Sequence, residues 1–225
     1  MRNLFLFFFV TLLTGSPLVA ILVIAAVYLA LDYQFVGVSR RLFDGFRRAS
    51  EIRRLKRDLS VNPHDAAARA GLGRLLVSAR RHAEAAPHLE QAIARMPDSD
   101  DAACDLGLAY LWTGKIPEGE RLLRTALARN PKFRYGEPYL RWGEFLLSAG
   151  RVRDAAESLE TFLSIHSSSV EGHYLLAEAY RREGNASNAA KIYRDALFMF
   201  KKSPGYKRRA ERLWAWKARF RLMAG

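Results

Sequence analysis

The sequence predicts an all-α protein in which one membrane-crossing helix precedes a solenoid of helical hairpins, closed by a C-terminal helix. Three observations carry this expectation. Leu4 to Leu31 form 28 consecutive residues without a charged side chain, prolines recur every 34 residues at Pro63, Pro97 and Pro131, and small residues recur in step with them. A fixed period of this length marks stacked supersecondary units. The apolar run exceeds the ~20 residues that cross a bilayer as a helix.

The first element, residues 1–38, reads as a transmembrane anchor. A cleaved signal peptide ends its apolar region after roughly 7 to 15 residues; here the run continues, which favours an uncleaved span. Gly15-Ser16-Pro17 interrupts it, and Pro17 removes a helix hydrogen bond. One span, a hairpin, or a short interfacial piece followed by the main span all fit that interruption. Only Arg2 precedes the run, whereas Arg40, Arg41, Arg47, Arg48, Arg53, Arg54, Lys56 and Arg57 follow it. The positive-inside rule then places the rest of the chain in the cytoplasm. Residues 39–62 follow as a basic juxtamembrane helix, with Leu42, Phe46, Ala49, Ile52, Leu55 and Leu59 at helical spacing.

Residues 63–203 divide into four units, about 64–97, 98–131, 134–167 and 168–201. The first carries Leu72-Gly73, Leu76, Ala85, Leu89, Ala92 and Pro97; the second Leu106-Gly107, Tyr110, Gly114, Leu123, Ala126 and Pro131. The third, displaced by two residues, reads Trp142-Gly143, Leu146, Gly150, Ala155, Leu159 and Phe162; the fourth Leu176-Ala177, Tyr180, Gly184, Ala189, Tyr193 and Ala196. Small residues let two helices approach, large ones fill the ridges between them, and proline stops the second helix. Departures include Gly119 in place of alanine, Arg80 where a turn glycine is expected, and two extra residues in Lys132–Pro138, which lengthen the linker before unit three. Residues 204–225 read as a basic capping helix with Leu213, Trp216, Phe220 and Met223 along one side.

This pattern resembles the tetratricopeptide repeat (TPR), over about residues 64 to 203. The resemblance implies a concave groove, lined by the first helix of each unit, that binds a peptide or helix of a partner protein. Its groove-facing candidates are Arg74, Val77, Asp101, Asp105, Leu108, Trp112, Glu137, Arg141, Glu144, Tyr174, Glu178 and Arg181. The clamp that related repeats use for chaperone tails needs cations at positions matched here by Ala70, Arg74, Asp105, Glu137 and Arg141. Acidic groups at such positions repel a carboxylate, which argues instead for a partner with basic and apolar side chains.

Charge is segregated. The formal +13 divides into +5 over residues 1–62, 0 over 63–199 and +8 over 200–225. A nucleic-acid binder is expected to carry its basic patch on the folded body, so no nucleic-acid partner is expected. The basic ends suit anionic lipid instead, with Arg40, Arg41, Arg47, Arg48, Arg208, Arg209, Trp214 and Trp216 as candidate contacts. The five histidines, at 64, 82, 88, 166 and 173, show no metal-ligand spacing, no phosphate loop or nucleophile motif is present, and Cys104 is the only cysteine. No cofactor, metal site or catalytic residue is expected.

The expectation is a non-catalytic, single-pass membrane scaffold or adaptor whose repeats face the cytoplasm. Its layout resembles bacterial inner-membrane TPR proteins, including those that organise assembly of envelope polymers such as lipopolysaccharide. The competing reading is an exported repeat domain, periplasmic behind a signal anchor, serving secretion or pilus assembly.

Overall fold

Side-chain caps start three of the four first helices of the repeat region. The computed structural model describes residues 15–19, 21–23, 26 and 38–224, in two units, Met1–Arg48 and Ala49–Gly225. In the first unit the chain turns at Gly15 (φ +64°) and is helical at 17–19, 21–23 and 26, with Leu18 and Leu22 exposed. Most of the apolar run read as a membrane anchor lies outside the described residues. Among the described residues, no helix is long and apolar enough to cross a membrane.

Helix α1 (Val38–Val61) leads into the second unit. Four hairpins follow: α2 (Ala66–Ser78) with α3 (His82–Ile93), α4 (Asp100–Trp112) with α5 (Ile116–Arg129), α6 (Glu137–Ser148) with α7 (Val152–Ile165), and α8 (Val170–Arg182) with α9 (Ala186–Lys202). Helix α10 (Gly205–Ala224) closes the array, and a 3₁₀ turn, Phe133–Gly136, stands before α6. The arrangement is a TPR-like solenoid. Asp65, Ser99 and Ser169 cap α2, α4 and α8 by accepting from the backbone N–H of Ala68, Ala102 and Gly172 at 2.9, 3.2 and 3.1 Å, which satisfies donors that the first turn leaves unpaired.

Each hairpin closes on a small residue. A Cβ at Gly73 or Gly143 would lie 2.4 or 2.6 Å from the Leu89 or Leu159 side chain, so those leucines fill the space a side chain would need. Unit two goes further: Gly107 and Gly119 bring backbone to backbone, and a Cβ on either would meet the other's carbonyl oxygen at 2.9 or 2.8 Å. Gly119 is thus a position the hairpin has tightened around. Leu72, Leu76, Leu89, Leu123, Leu146 and Leu159 are fully buried between the layers, each stabilising the fold by roughly 1.5–3 kcal/mol. Between units, a tyrosine of one first helix donates to a glutamate of the preceding second helix: Tyr110 to Glu90 at 2.7 Å and Tyr180 to Glu160 at 2.6 Å.

Turn chemistry follows the repeat with one exception. Gly114, Gly150 and Gly184 adopt positive φ between paired helices; in unit one Arg80 does so at +59°, a conformation that costs a side-chain-bearing residue about 1–2 kcal/mol. Helix α1 packs Ile52 and Leu59 into the core formed by the first two hairpins.

The C-terminal helix differs from expectation. Leu213, Trp216, Phe220 and Met223 do not pack inward; all four are exposed, and α10 instead buries Ala215 and Ala218 against α8 and α9. The physical reason is the same close approach that the glycines and alanines of the repeats permit: alanines three residues apart form a flat face that large side chains cannot.

Candidate partner-binding groove

First helices contact first helices along the array, α2 with α4, α4 with α6 and α6 with α8, and so form its inner wall. The residues expected to line that wall fall into three groups.

The first group is a charge cluster between units one to three. Arg74 donates to Asp101 at 2.5 Å and, more weakly, to Asp105 at 3.4 Å. The dominant partner of both acids is Arg134, from the lengthened linker, which sequence reasoning missed. Its guanidinium donates to both Asp105 oxygens at 2.7 Å and to Asp101 at 2.6 and 3.2 Å. Asp105 is only 3 % exposed at its side chain, so Arg134 neutralises a buried carboxylate. Burial alone would lower the Arg134 pKa, but its bonds to Asp105 and Asp101 outweigh that and raise it. Delivering the side chain requires three successive residues at positive φ, Arg134 (+46°), Tyr135 (+54°) and Gly136 (+79°). The displaced register and the glycine at its end were the sequence signals. Glu137 lies beyond, 4.0 Å from Arg134 and 3.9 Å from Arg141.

The second group surrounds Trp112, 36 % exposed. Its ring stacks on His82 at 5.6 Å and meets the edge of Phe145 at 5.4 Å, with the Arg80 guanidinium 6.0 Å from the centroid. Arg80 also pairs with Glu144, and Arg141 joins Glu144 to Glu171 at 3.1 and 2.8 Å. Burial tends to raise the Glu144 pKa, but Arg80 and Arg141 hold it below the ordinary range. At His82, burial and then Arg80 lower the imidazole pKa, against a smaller opposing pull from Glu144. Val77 is half-buried. Leu108 is buried in the core and does not line an open surface.

The third group is covered. Tyr174 and Glu178 are buried where α10 packs on α8. Tyr174 meets Trp214 at 5.4 Å, and Glu178 accepts from Arg221 Nε at 2.7 Å, Tyr193 Oη at 2.5 Å and Arg181 at 2.9 Å. Arg181, Tyr193 and Arg221 hold its carboxyl low against the upward push of burial. The open inner wall therefore runs from Arg74 to Arg141, and its charges are largely paired within the chain.

Of the candidate lipid contacts, Arg208 and Trp216 are exposed and Arg209 is partly so, whereas Trp214 is turned inward on Tyr174. Trp214 shares its side of α10 with Ala218, which places it in the packed face. Arg47 is exposed and Arg48 half-buried on α1; Arg40 and Arg41 belong to the same helix, and their side chains lie outside the described residues. Cys104 is fully buried, and burial followed by Asp105 pushes its thiol up to about 12. Among the described residues, no group of three or more His, Cys, Asp or Glu is placed to hold a metal ion.

Comparison with known proteins agrees with this geometry. One tetratricopeptide repeat family model matches residues 39–101 and 140–206, and a second matches residues 76–137. Among solved structures, the chain is similar to a crystal structure of MamA protein, with 24 % identity over 76 % of this chain and 91 % of that one, at a TM-score of 0.57. MamA AMB-1 is 22 % identical over 71 % and 94 %, at 0.57, and MamA 41-end from Desulfovibrio magneticus RS-1 is 14 % identical over 74 % and 93 %, at 0.59. At these identities the likeness concerns the fold. No curated protein sequence matches the chain.

Proposed function

Because the chain belongs to the tetratricopeptide repeat family, whose members hold partner proteins, we propose that it is a non-catalytic scaffold held at a membrane by residues 1–38, with its repeats cytoplasmic. The observation that carries the binding role is the partly exposed Trp112 ring at the end of α4, held in place by His82 from α3 and by the buried Phe145. An exposed tryptophan on a rigid helix is the residue type that dominates binding energy at interfaces. Because Asp101, Asp105 and Glu144 already have arginine partners, the basic partner expected from sequence has little unpaired acid to meet. The reading becomes a helix or peptide led by an apolar side chain against Trp112.

Support for the anchor comes from the uncharged Leu4 to Leu31 run and the arginines after it. The helical backbone that begins at Pro17 suits a main span after the proline, since proline is favoured at a first helical position. A role in assembling the cell envelope of a bacterial inner membrane is the setting in which such a scaffold fits.

Crosslinking in intact membranes, comparing wild type with Trp112→Ala and with Arg153→Ala on the outer surface, tests the groove. Loss of a hot-spot tryptophan weakens binding by about 2 kcal/mol, roughly 30-fold, so partner recovery collapses in W112A alone. Equal recovery from both variants would sink the assignment. Reporters fused after Gly225 test the topology: activity in the cytoplasm supports it, and activity outside turns the reading into an exported repeat domain serving secretion or pilus assembly.

A further inference from the structure

Helix α10 has two faces of opposite character. At 3.6 residues per turn, Glu211, Trp214, Ala215, Ala218 and Leu222 share the side packed on the repeats, and Glu211 accepts from the backbone N–H of Val170 at 3.1 Å, at the start of α8. Tyr206, Leu213, Trp216, Phe220 and Met223 share the side directly opposite. Trp216 is 65 % and Met223 73 % exposed, and the Trp216 and Phe220 rings stack on each other at 6.1 Å. Contiguous exposed apolar surface of this kind marks an interaction site.

Charge identifies the occupant. Residues 200–225 carry nine Lys and Arg against Glu211 alone, and Glu211 is committed to the packed face. Arg208, Arg212 and Arg219 run along one edge of the stripe and Arg209 lies within it, by the same helical count. Two copies of the stripe face to face would bring Arg208, Arg209 and Arg219 of one copy against those of the other, like charge on like charge, which disfavours self-association. Large aromatic and aliphatic side chains bordered by arginines, on a helix about 30 Å long, match the demands of an anionic membrane surface. There the apolar side chains enter the headgroup–acyl boundary and the cations sit at phosphate level.

We propose that α10 is a second membrane contact, docking flat on an anionic bilayer through Leu213, Trp216, Phe220 and Met223, with Arg208, Arg209 and Arg219 on lipid phosphate. This assignment does not rest on the N-terminal anchor. It makes the outward stripe a lipid-binding surface and assigns Trp214 and Ala218 to holding the helix on the repeats.

The full chain is mixed with vesicles of phosphatidylcholine, with and without phosphatidylglycerol, in which acyl chains are brominated to quench nearby tryptophan. With phosphatidylglycerol present, quenching is expected, and Trp216→Phe removes it while the circular dichroism stays that of wild type. Replacing Arg208, Arg209 and Arg219 together by Gln weakens docking on the order of 100-fold, about fivefold per cation. Quenching through Trp216 that is absent in both lipid mixtures, or equal in both, overturns the proposal. So does Trp216 shielding that appears without lipid and grows with protein concentration, which would assign the stripe to a second copy. Flotation separates the two membrane contacts: a chain without an inserted span leaves the vesicles in high salt, whereas an inserted one remains, and Trp216 quenching reads α10 in either case.

Discussion

Substituting Arg134 by Met is the most exacting test of how the linker and inner wall hold together. In the folded chain, Arg134 supplies four hydrogen bonds to Asp105 and Asp101. Removing it leaves the Asp105 carboxylate, 3 % exposed at its side chain, facing only Arg74 at 3.4 Å. Breaking a buried pair by deleting one partner costs about 3–5 kcal/mol. The residual exposure of Arg134, 20 %, and the surviving Arg74 bring the expectation to about 2–3 kcal/mol by the same reasoning. Urea unfolding of the detergent-solubilised full chain, followed by circular dichroism, reads the loss, and hydrogen exchange localises it to α4 and the linker. The double substitution Arg134→Met with Asp105→Leu removes both charges. Replacing a whole buried pair by apolar groups is close to neutral, so most of the lost stability should return. A single-variant loss under about 1 kcal/mol, or a double variant equal to the sum of its parts, would refute a buried, mutually dependent pair.

Three further outcomes follow from the geometry. Gly119→Ala gains helix propensity of roughly 1 kcal/mol yet places a Cβ 2.8 Å from the Gly107 carbonyl, so α4 and α5 must part; a net loss of about 1–2 kcal/mol is expected, and a raised melting temperature would contradict it. Cys104, buried with its thiol at about 12, should resist maleimide in the folded chain and react only on unfolding, as mass spectrometry will read. Burial lowers the pKa of His82, His88 and His166, so the unfolded chain binds more protons below about pH 6.5 and stability falls as pH drops from there. Glu211, raised by burial, works in the opposite direction as its carboxyl protonates. Thermal melts at pH 7.5 and 5.5, with His82→Gln flattening the difference, check the sign.

Much of the solenoid was legible because its signals are periodic. Pro63, Pro97 and Pro131, together with the Gly73, Gly107 and Gly143 series, encode the hairpins at a repeat that any stacked fold must obey. Arg134 was not legible in that way, since a linker side chain bonded to a helix about 30 residues earlier leaves no period, only an insertion of two residues and complementary charges. The orientation of α10 was hidden for another reason. Its largest apolar stripe drew attention to one side, although Ala215 and Ala218 carried the same small-residue signal that locates close packing in every hairpin. Tyr174 and Glu178 were placed on the inner wall by register, and register says nothing of a later helix lying across them.

The pairing of Arg80 with Glu144 spans 64 residues and ties the first hairpin to the third over the second. A repeat array coupled only between neighbours behaves as a one-dimensional spring whose pitch can vary at every joint. A contact between next-nearest units lies outside that nearest-neighbour scheme. The Arg80 side chain is 61 % exposed, so the pair adds little energy of its own; its consequence is one of register, because the same guanidinium lies 6.0 Å from the Trp112 ring and sets the turn of the first hairpin against an aromatic site built on the second and third.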